Sequence, residues 1–139
     1  MNFDGKTAIK ETPLRAPGVV LNSGSTFESS AITPSGFSHA IFYVTTNITG
    51  SRAISGKLQD SADNSQWADV TGTSFTQSVA DGDGQYGLRT ILIAHDAVRE
   101  YVRLSITTTA GTNVVPIASC LQFNSKNQFG GNTFAGEVL

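Results

Sequence analysis

Short hydrophobic or alternating segments recur between residues 19 and 123, and turn-forming residues close each of them. The sharpest alternation lies in 100–108, where Val102, Leu104 and Ile106 fall on one face of an extended chain. Segment 37–47 also alternates but carries apolar groups on both faces, which predicts a central strand covered on both sides. About eight or nine strands at this spacing predict an all-β fold. We expect a β-sandwich of jelly-roll type. An immunoglobulin-like sandwich is the alternative, because hydrophobic pattern alone does not give strand order.

The distribution of hydrophobic, polar, Pro and Gly residues along the chain predicts one domain with an extended arm at each end. Residues 19–123 contain the predicted strands and form the predicted sandwich. Residues 1–18 are mixed and polar and contain Pro13 and Pro17, which favour an extended N-terminal arm. Residues 124–139 are rich in Asn, Gly and Gln and predict a C-terminal arm. A chain of 139 residues fits this single-domain arrangement.

Charge content narrows the classes of partner. Charged residues make up 14% of the chain, against roughly 25% in soluble domains. Such a surface can be buried against another protein with little ionic desolvation. The net charge is −2 and the nine basic residues form no run, so we expect no nucleic-acid partner. We also expect no membrane span and no signal peptide, and therefore synthesis in the cytoplasm without signal-directed export.

Candidate chemistry is sparse, and we predict no catalytic residue, no metal site and no cofactor. His39 and His95 occur in different sequence contexts, and no Gly-x-Ser-x-Gly motif is present. The Asp-Gly-Asp-Gly run at 81–84 lacks the later ligands of a calcium loop and indicates a tight turn. The single Cys120 lies in an apolar segment and is expected to be a small buried hydrophobic residue.

The most distinctive segment, 60–70, predicts a strand, a polar turn and a returning strand. Its Asx residues can bond back to the backbone of the turn. Trp67 follows the turn, and its ring is expected to cover one end of the core. The alternative is that Trp67 is exposed in a sugar-binding site.

Two runs carry a resemblance to a known family. Residues 56–70 include Leu58-Gln59-Asp60-Ser61 and Trp67-Ala68-Asp69-Val70, and the later run is Tyr101-Val102-Arg103-Leu104. Together they resemble tailed-bacteriophage capsid cement, or decoration, proteins with a jelly-roll fold, over about residues 53–123. The resemblance implies a non-enzymatic protein of the virion exterior. Such a protein binds the outside of the capsid and bridges neighbouring major capsid protein subunits, as a dimer or trimer.

The predicted arms supply the candidate partner-binding residues. Aromatic side chains can anchor in a neighbour's pocket, and basic side chains can pair with its surface charges. The predicted set is Phe3, Lys6, Lys10, Arg15, Phe129 and Phe134. Two other functions stay open, namely a carbohydrate- or receptor-binding module of a phage tail and a head–tail or tail-tube structural protein.

Overall fold

The computed structural model describes residues 9–16, 18–48, 53–78, 85–108 and 114–124. Within these residues the chain forms nine antiparallel strands and one short 3-10 turn, His95–Ala97. The strands are β1 Lys10–Arg15, β2 Thr26–Glu28, β3 His39–Ile48, β4 Ala53–Ser61, β5 Ala68–Asp69, β6 Phe75–Ser78, β7 Gln85–Ala94, β8 Tyr101–Thr108 and β9 Ile117–Phe123.

The strands form two sheets with interleaved order. The four-stranded sheet has the order β1-β9-β3-β7. The five-stranded sheet has the order β2-β8-β4-β5, and β6 also pairs with β4. When β5 and β6 are counted as one interrupted strand, this is the strand order of a jelly roll. It differs from the ABED and CFG sheets of an immunoglobulin domain. The predicted all-β sandwich of jelly-roll type is therefore confirmed.

One face of each sheet packs against the other to form the core. Every second residue of β8 points inward, and Val102, Leu104 and Ile106 have no exposed surface. From the opposite sheet β3 contributes Phe42 and Val44. Each such side chain contributes roughly 1.5–3 kcal/mol when it leaves water. This burial is the main force that holds the two sheets together.

Cys120 also belongs to this core, as the sequence predicts. Its side chain is completely buried. Burial raises the pKa of the thiol to about 12, because the thiolate loses its hydration, although the charge of Lys10 acts in the opposite direction. The thiol therefore stays protonated and unreactive in the folded chain.

Strand β3 has the predicted central position but not the predicted two-sided cover. It lies between β9 and β7, and its inward residues are buried. Ile41 and Tyr43 lie on its other face and are only half-buried. Alternation with apolar groups on both faces therefore marks an outer surface that is itself apolar, since no described element packs over it.

Part of the predicted N-terminal arm is a sheet strand. Residues 10–15 form β1, which pairs with β9 at the edge of the four-stranded sheet. Pro13 is compatible with this strand because an edge strand has one side that needs no backbone donor. Leu14 is buried in the core, which fixes the strand in place. Residues 1–8 and 125–139 lie outside the described residues, so the rest of both arms stays a prediction.

Gly56 creates a contact that the sequence pattern does not reveal. It lies in β4 directly opposite Phe75 of β6. A Cβ atom built at Gly56 would collide with the ring of Phe75. The aromatic ring therefore occupies the space that a side chain at position 56 would need, and it covers the backbone of β4.

We predict that Gly56→Ala destabilises the fold by about 1–3 kcal/mol, because Phe75 must move outward to admit the methyl group. The measurement is the free energy of unfolding in urea. Ser55→Ala is the control, because Ser55 points to the opposite face, and its effect should stay within about 0.5 kcal/mol. Equal stability of Gly56→Ala and the wild type would contradict this description of the contact.

Candidate partner-binding surfaces

The outer face of the four-stranded sheet is largely apolar. Leu88 is 57% exposed, Leu92 41% and Ile117 42%. The strand register places Ile41 between Leu92 and Leu121, so these side chains form a row across three strands. We call this surface the apolar face. Its apolar residues are Ile41, Tyr43, Leu88, Leu92, Ile117 and Leu121, and the uncharged polar residues Thr45, Thr90 and Ser119 lie among them.

Charge is nearly absent from the apolar face. Glu11 of β1 is the one carboxylate that the described strands place there, and it lies at the rim. The hydroxyl of Tyr43 donates a hydrogen bond to Glu11 Oε2 over 2.7 Å. A contiguous exposed apolar surface on a folded domain commonly marks a site of protein–protein contact. The low charge means that its burial needs little ionic desolvation.

The outer face of the five-stranded sheet is polar and internally paired. Lys57 Nζ lies 2.7 Å from Asp69 Oδ2, and Gln59 donates to Asp69 Oδ1 over 2.9 Å. Both hydrogen bonds lower the pKa of Asp69, that from Lys57 the more. Arg103 continues the network, donating to Gln59 over 2.9 Å and pairing with Glu28 at 3.0 Å. We call this surface the polar face. Its charges already have partners within the chain.

Trp67 belongs to the polar face and not to the core. It is half-buried, and the guanidinium carbon of Arg103 lies 4.3 Å from its ring centroid. The expectation that Trp67 covers one end of the core is therefore wrong. The sheet turns this ring outward, where a cation–π contact with Arg103 holds it. That contact occupies one face of the ring, the surface on which a bound sugar would stack.

The turn before Trp67 folds as the sequence predicts. Asp63 Oδ1 accepts hydrogen bonds from the backbone N–H groups of Ser65 at 2.9 Å and Gln66 at 2.8 Å. The hydroxyl of Ser61 donates to the same oxygen at 2.9 Å. Asn64 takes a positive φ of 60°, which Asn tolerates better than most residues. The hydrogen bond from Gln66, followed by those from Ser61 and Ser65, holds the pKa of Asp63 below its ordinary value.

One open cleft brings the two histidines together, which sequence reasoning missed. His39 and His95 both line it, with Phe37 and Asp96. The signal lies in the register, because His39 pairs with Ala94, the neighbour of His95. His39 stacks on Phe123 with ring centroids 5.6 Å apart. His95 Nδ1 lies 3.0 Å from the carbonyl of Pro34. These contacts fix both rings against the protein.

No metal site or membrane-spanning helix emerges from the described residues. Among them, no three His, Cys, Asp or Glu side chains lie close enough to hold an ion. Over the same residues, no helix has the length and apolar character that crossing a membrane requires.

The structure describes two of the six predicted partner-binding residues, Lys10 and Arg15, and the partner-binding role of all six stays a prediction. Lys10 is exposed on β1 and free to meet a partner surface. Arg15 is only 8% exposed. Its guanidinium carbon lies 4.4 Å from the ring centroid of Phe27, and Nη2 donates to the carbonyl of Val19 over 3.0 Å. Arg15 therefore supports the fold and leaves little surface for a partner. The remaining predicted residues, Phe3, Lys6, Phe129 and Phe134, lie outside the described part of the chain.

Comparison with known proteins adds information on the fold alone. No protein-family model and no curated protein matches the chain. Among solved structures, the PBSX exported protein XepA superposes with a TM-score of 0.56 at 9% identity, over 86% of this chain and 38% of that one. The structure of the infectious bursal disease virus Gx strain superposes with a TM-score of 0.56 at 11% identity, over 89% of this chain and 33% of that one. The structure of the VP2 subviral particle of that virus superposes with a TM-score of 0.55 at 11% identity, over 89% of this chain and 34% of that one.

These similarities agree with the jelly-roll order of the sheets. The chain spans between 33% and 38% of the length of these solved structures. It therefore corresponds to one β-sandwich unit within larger chains.

We predict that Arg103→Ala costs about 1–3 kcal/mol of unfolding free energy. The loss combines the cation–π contact with Trp67, the hydrogen bond to Gln59 and the ion pair with Glu28. The emission of the single tryptophan should shift to the red, because its ring gains water contact. Glu28→Gln is the control. It removes only an exposed ion pair and should cost under about 0.5 kcal/mol. Unchanged emission in Arg103→Ala would contradict the stacked arrangement.

We predict that Asp63→Asn lowers Tm at pH 7 by roughly 2–5 °C. The folded-state pKa of Asp63 lies below its unfolded value of 3.8. The charge therefore contributes stability above that value, and the contribution disappears as pH falls through the folded-state pKa. The Tm difference from wild type should shrink steadily below pH 4. Asp96→Asn is the control, since Asp96 accepts no hydrogen bond from the described residues. A Tm difference for Asp63→Asn that does not change with pH would refute the role of the charge.

Proposed function

We propose that the chain is a structural virion protein that binds the outer surface of a phage capsid. It stabilises the shell by bridging major capsid protein subunits and does no catalysis. The observation that carries the proposal is the apolar face, a broad, nearly uncharged surface on a sandwich whose opposite face is already satisfied by internal pairs. The resemblance of residues 56–70 and 99–106 to capsid cement proteins supports the same function.

The difference between the two outer faces supports one direction of binding. Lys57, Asp69, Arg103 and Glu28 would each lose a partner or carry a desolvation cost if the polar face were buried. Burial of Leu88, Leu92 and Ile117 would lower the free energy of the system, because apolar side chains leave water. We therefore assign the apolar face to the capsid and the polar face to the solvent.

The mechanism is mechanical. A standard protein interface buries about 800 Å² per partner, which a sheet face four strands wide can offer. A domain that contacts two capsid subunits raises the cost of separating them. Many copies on one shell add their contributions, so each contact can be weak. Phe3, Lys6, Phe129 and Phe134 in the predicted arms would extend the contact to neighbouring subunits.

Structural similarity to virus particles supports this class of function. The infectious bursal disease virus structures are those of a virus strain and of a VP2 subviral particle, and their chains contain a similar sandwich. Their identity to this chain is 11%, so the support concerns the suitability of the fold for particle surfaces.

The test compares two lysine variants on capsids that lack the protein. Ile117→Lys places a charge within the apolar face and should reduce capsid affinity at least about tenfold, because that charge must be buried. Thr76→Lys is the matched control, since Thr76 is exposed on the polar face and gains the same charge. Its affinity should stay within about twofold. The measurement is bound protein per major capsid protein at several concentrations.

Two results would contradict the proposal. If Ile117→Lys binds capsids with wild-type affinity and Thr76→Lys loses affinity, the polar face and not the apolar face contacts the capsid. Binding of only a handful of wild-type copies per particle would point to a tail or head–tail position instead of a cement function.

A further inference from the structure

Strand β7 is a long edge strand whose one protective feature is a single charged residue, Arg89. The five-stranded sheet ends in short strands, since β2 has three residues, β5 two and β6 four. The other edge of the four-stranded sheet is β1, which contains Pro13 and a register shift between Pro13 and Arg15. β7 has ten residues, no proline and an unbroken register with β3. Natural proteins usually blunt such edges, because an unprotected one pairs with another strand.

The hydrogen-bond register shows which backbone groups of β7 face outward. The N–H of His95 donates to the carbonyl of Ser38 over 2.9 Å, and these two residues are opposite each other in the β3–β7 register. Bonded and non-bonded pairs alternate along an antiparallel ladder. The next bonded pair is therefore Ile93 with Ala40, and bonding continues at every second residue. The N–H and C=O groups of Leu88, Thr90 and Leu92 accordingly point away from β3.

These outward groups have no partner among the described residues. No other described strand pairs with β7, and Leu88, Thr90 and Leu92 are exposed. On β1 the corresponding outward position is occupied by Pro13, which has no N–H to offer. The two edges of the same sheet thus differ, and only β7 presents a continuous row of donors and acceptors.

We propose that a second copy of the chain pairs with this edge, β7 against β7, in antiparallel orientation about a two-fold axis. The occupant is a second copy because the edge is self-complementary. Antiparallel pairing about Thr90 puts each outward group opposite another outward group.

The register about Thr90 also suits the side chains. It places Leu88 opposite Leu92 of the second copy, so apolar side chains meet across the axis. Shifting the centre to Arg89, the only charged residue of β7, would bring two guanidinium groups together. Like charges directly opposite each other destabilise a strand pair.

The dimer would join the two four-stranded sheets into one continuous sheet. The apolar face of each copy would then continue into that of the other. This pairing stands apart from the proposed function, because it depends on the edge of β7 and not on what the apolar face binds. If the capsid function also holds, one dimer offers two adjoining binding faces, which is the geometry of a bridge.

The experiment measures self-association of the full chain by sedimentation equilibrium. The wild type should approach twice its 14.6 kDa chain mass as its concentration rises. Thr90→Pro removes an outward N–H that β3 does not use, and should weaken dimerisation at least about tenfold. Thr90→Val is the matched control. It keeps the N–H and a β-branched side chain, and should dimerise within about twofold of the wild type.

A second variant keeps the test decisive if Thr90→Pro fails to fold. Thr90→Lys would place two ammonium groups opposite each other at the axis, and should weaken the dimer, with partial recovery in high salt. Ile117→Lys should dimerise normally, because β9 lies inside the sheet and has no free edge. A monomeric wild type, a trimeric mass, or a folded Thr90→Lys that dimerises normally would overturn the proposal. So would a loss of dimerisation in Ile117→Lys, whereas its loss of capsid binding alone bears only on the proposed function.

Discussion

Burial of one face of each sheet against the other is the interaction on which the structure depends. The inward residues of β8 and β3, such as Leu104 and Phe42, meet between the sheets and have almost no surface exposed to solvent. Because side chains alternate along a strand, this burial also decides which residues face outward. The core therefore fixes both outer faces at the same time, and the difference between those faces follows from the residues at the alternate positions.

The polar groups of one outer face are paired within the chain, whereas the apolar side chains of the other outer face are exposed to solvent. On the polar face, Arg103 alone joins Trp67, Gln59 and Glu28, so its polar groups have partners before any other molecule arrives. On the apolar face, leucine and isoleucine side chains stay in contact with water. Burial against a partner is therefore favourable for the apolar face and unfavourable for the polar face. This property suits a protein that coats a larger assembly.

Much of the fold could be predicted from the sequence, because alternation and turn residues act locally. The strands, the all-β sandwich, the buried Cys120 and the Asp63 turn follow from nearby residues, whereas the jelly-roll strand order is set by long-range pairing. The outward position of Trp67 could not be predicted, since it depends on Arg103, which is distant in sequence and arrives through β4–β8 pairing. The strand character of Lys10–Arg15 was hidden by Pro13, whose tolerance depends on an edge position. The prediction that β3 is covered on both sides is wrong for a related reason. Apolar residues on both faces of a strand do not show whether another element packs over the outer one.

We propose that the domain lies on a capsid with its apolar face toward the shell. An electron cryomicroscopy reconstruction of particles carrying the protein tests it most directly. We expect density over boundaries between major capsid protein subunits across the whole shell, with β1, β9, β3 and β7 nearest the shell. Density confined to one vertex or the tail, or a domain that contacts the shell through Lys57, Asp69 and Arg103, would contradict it.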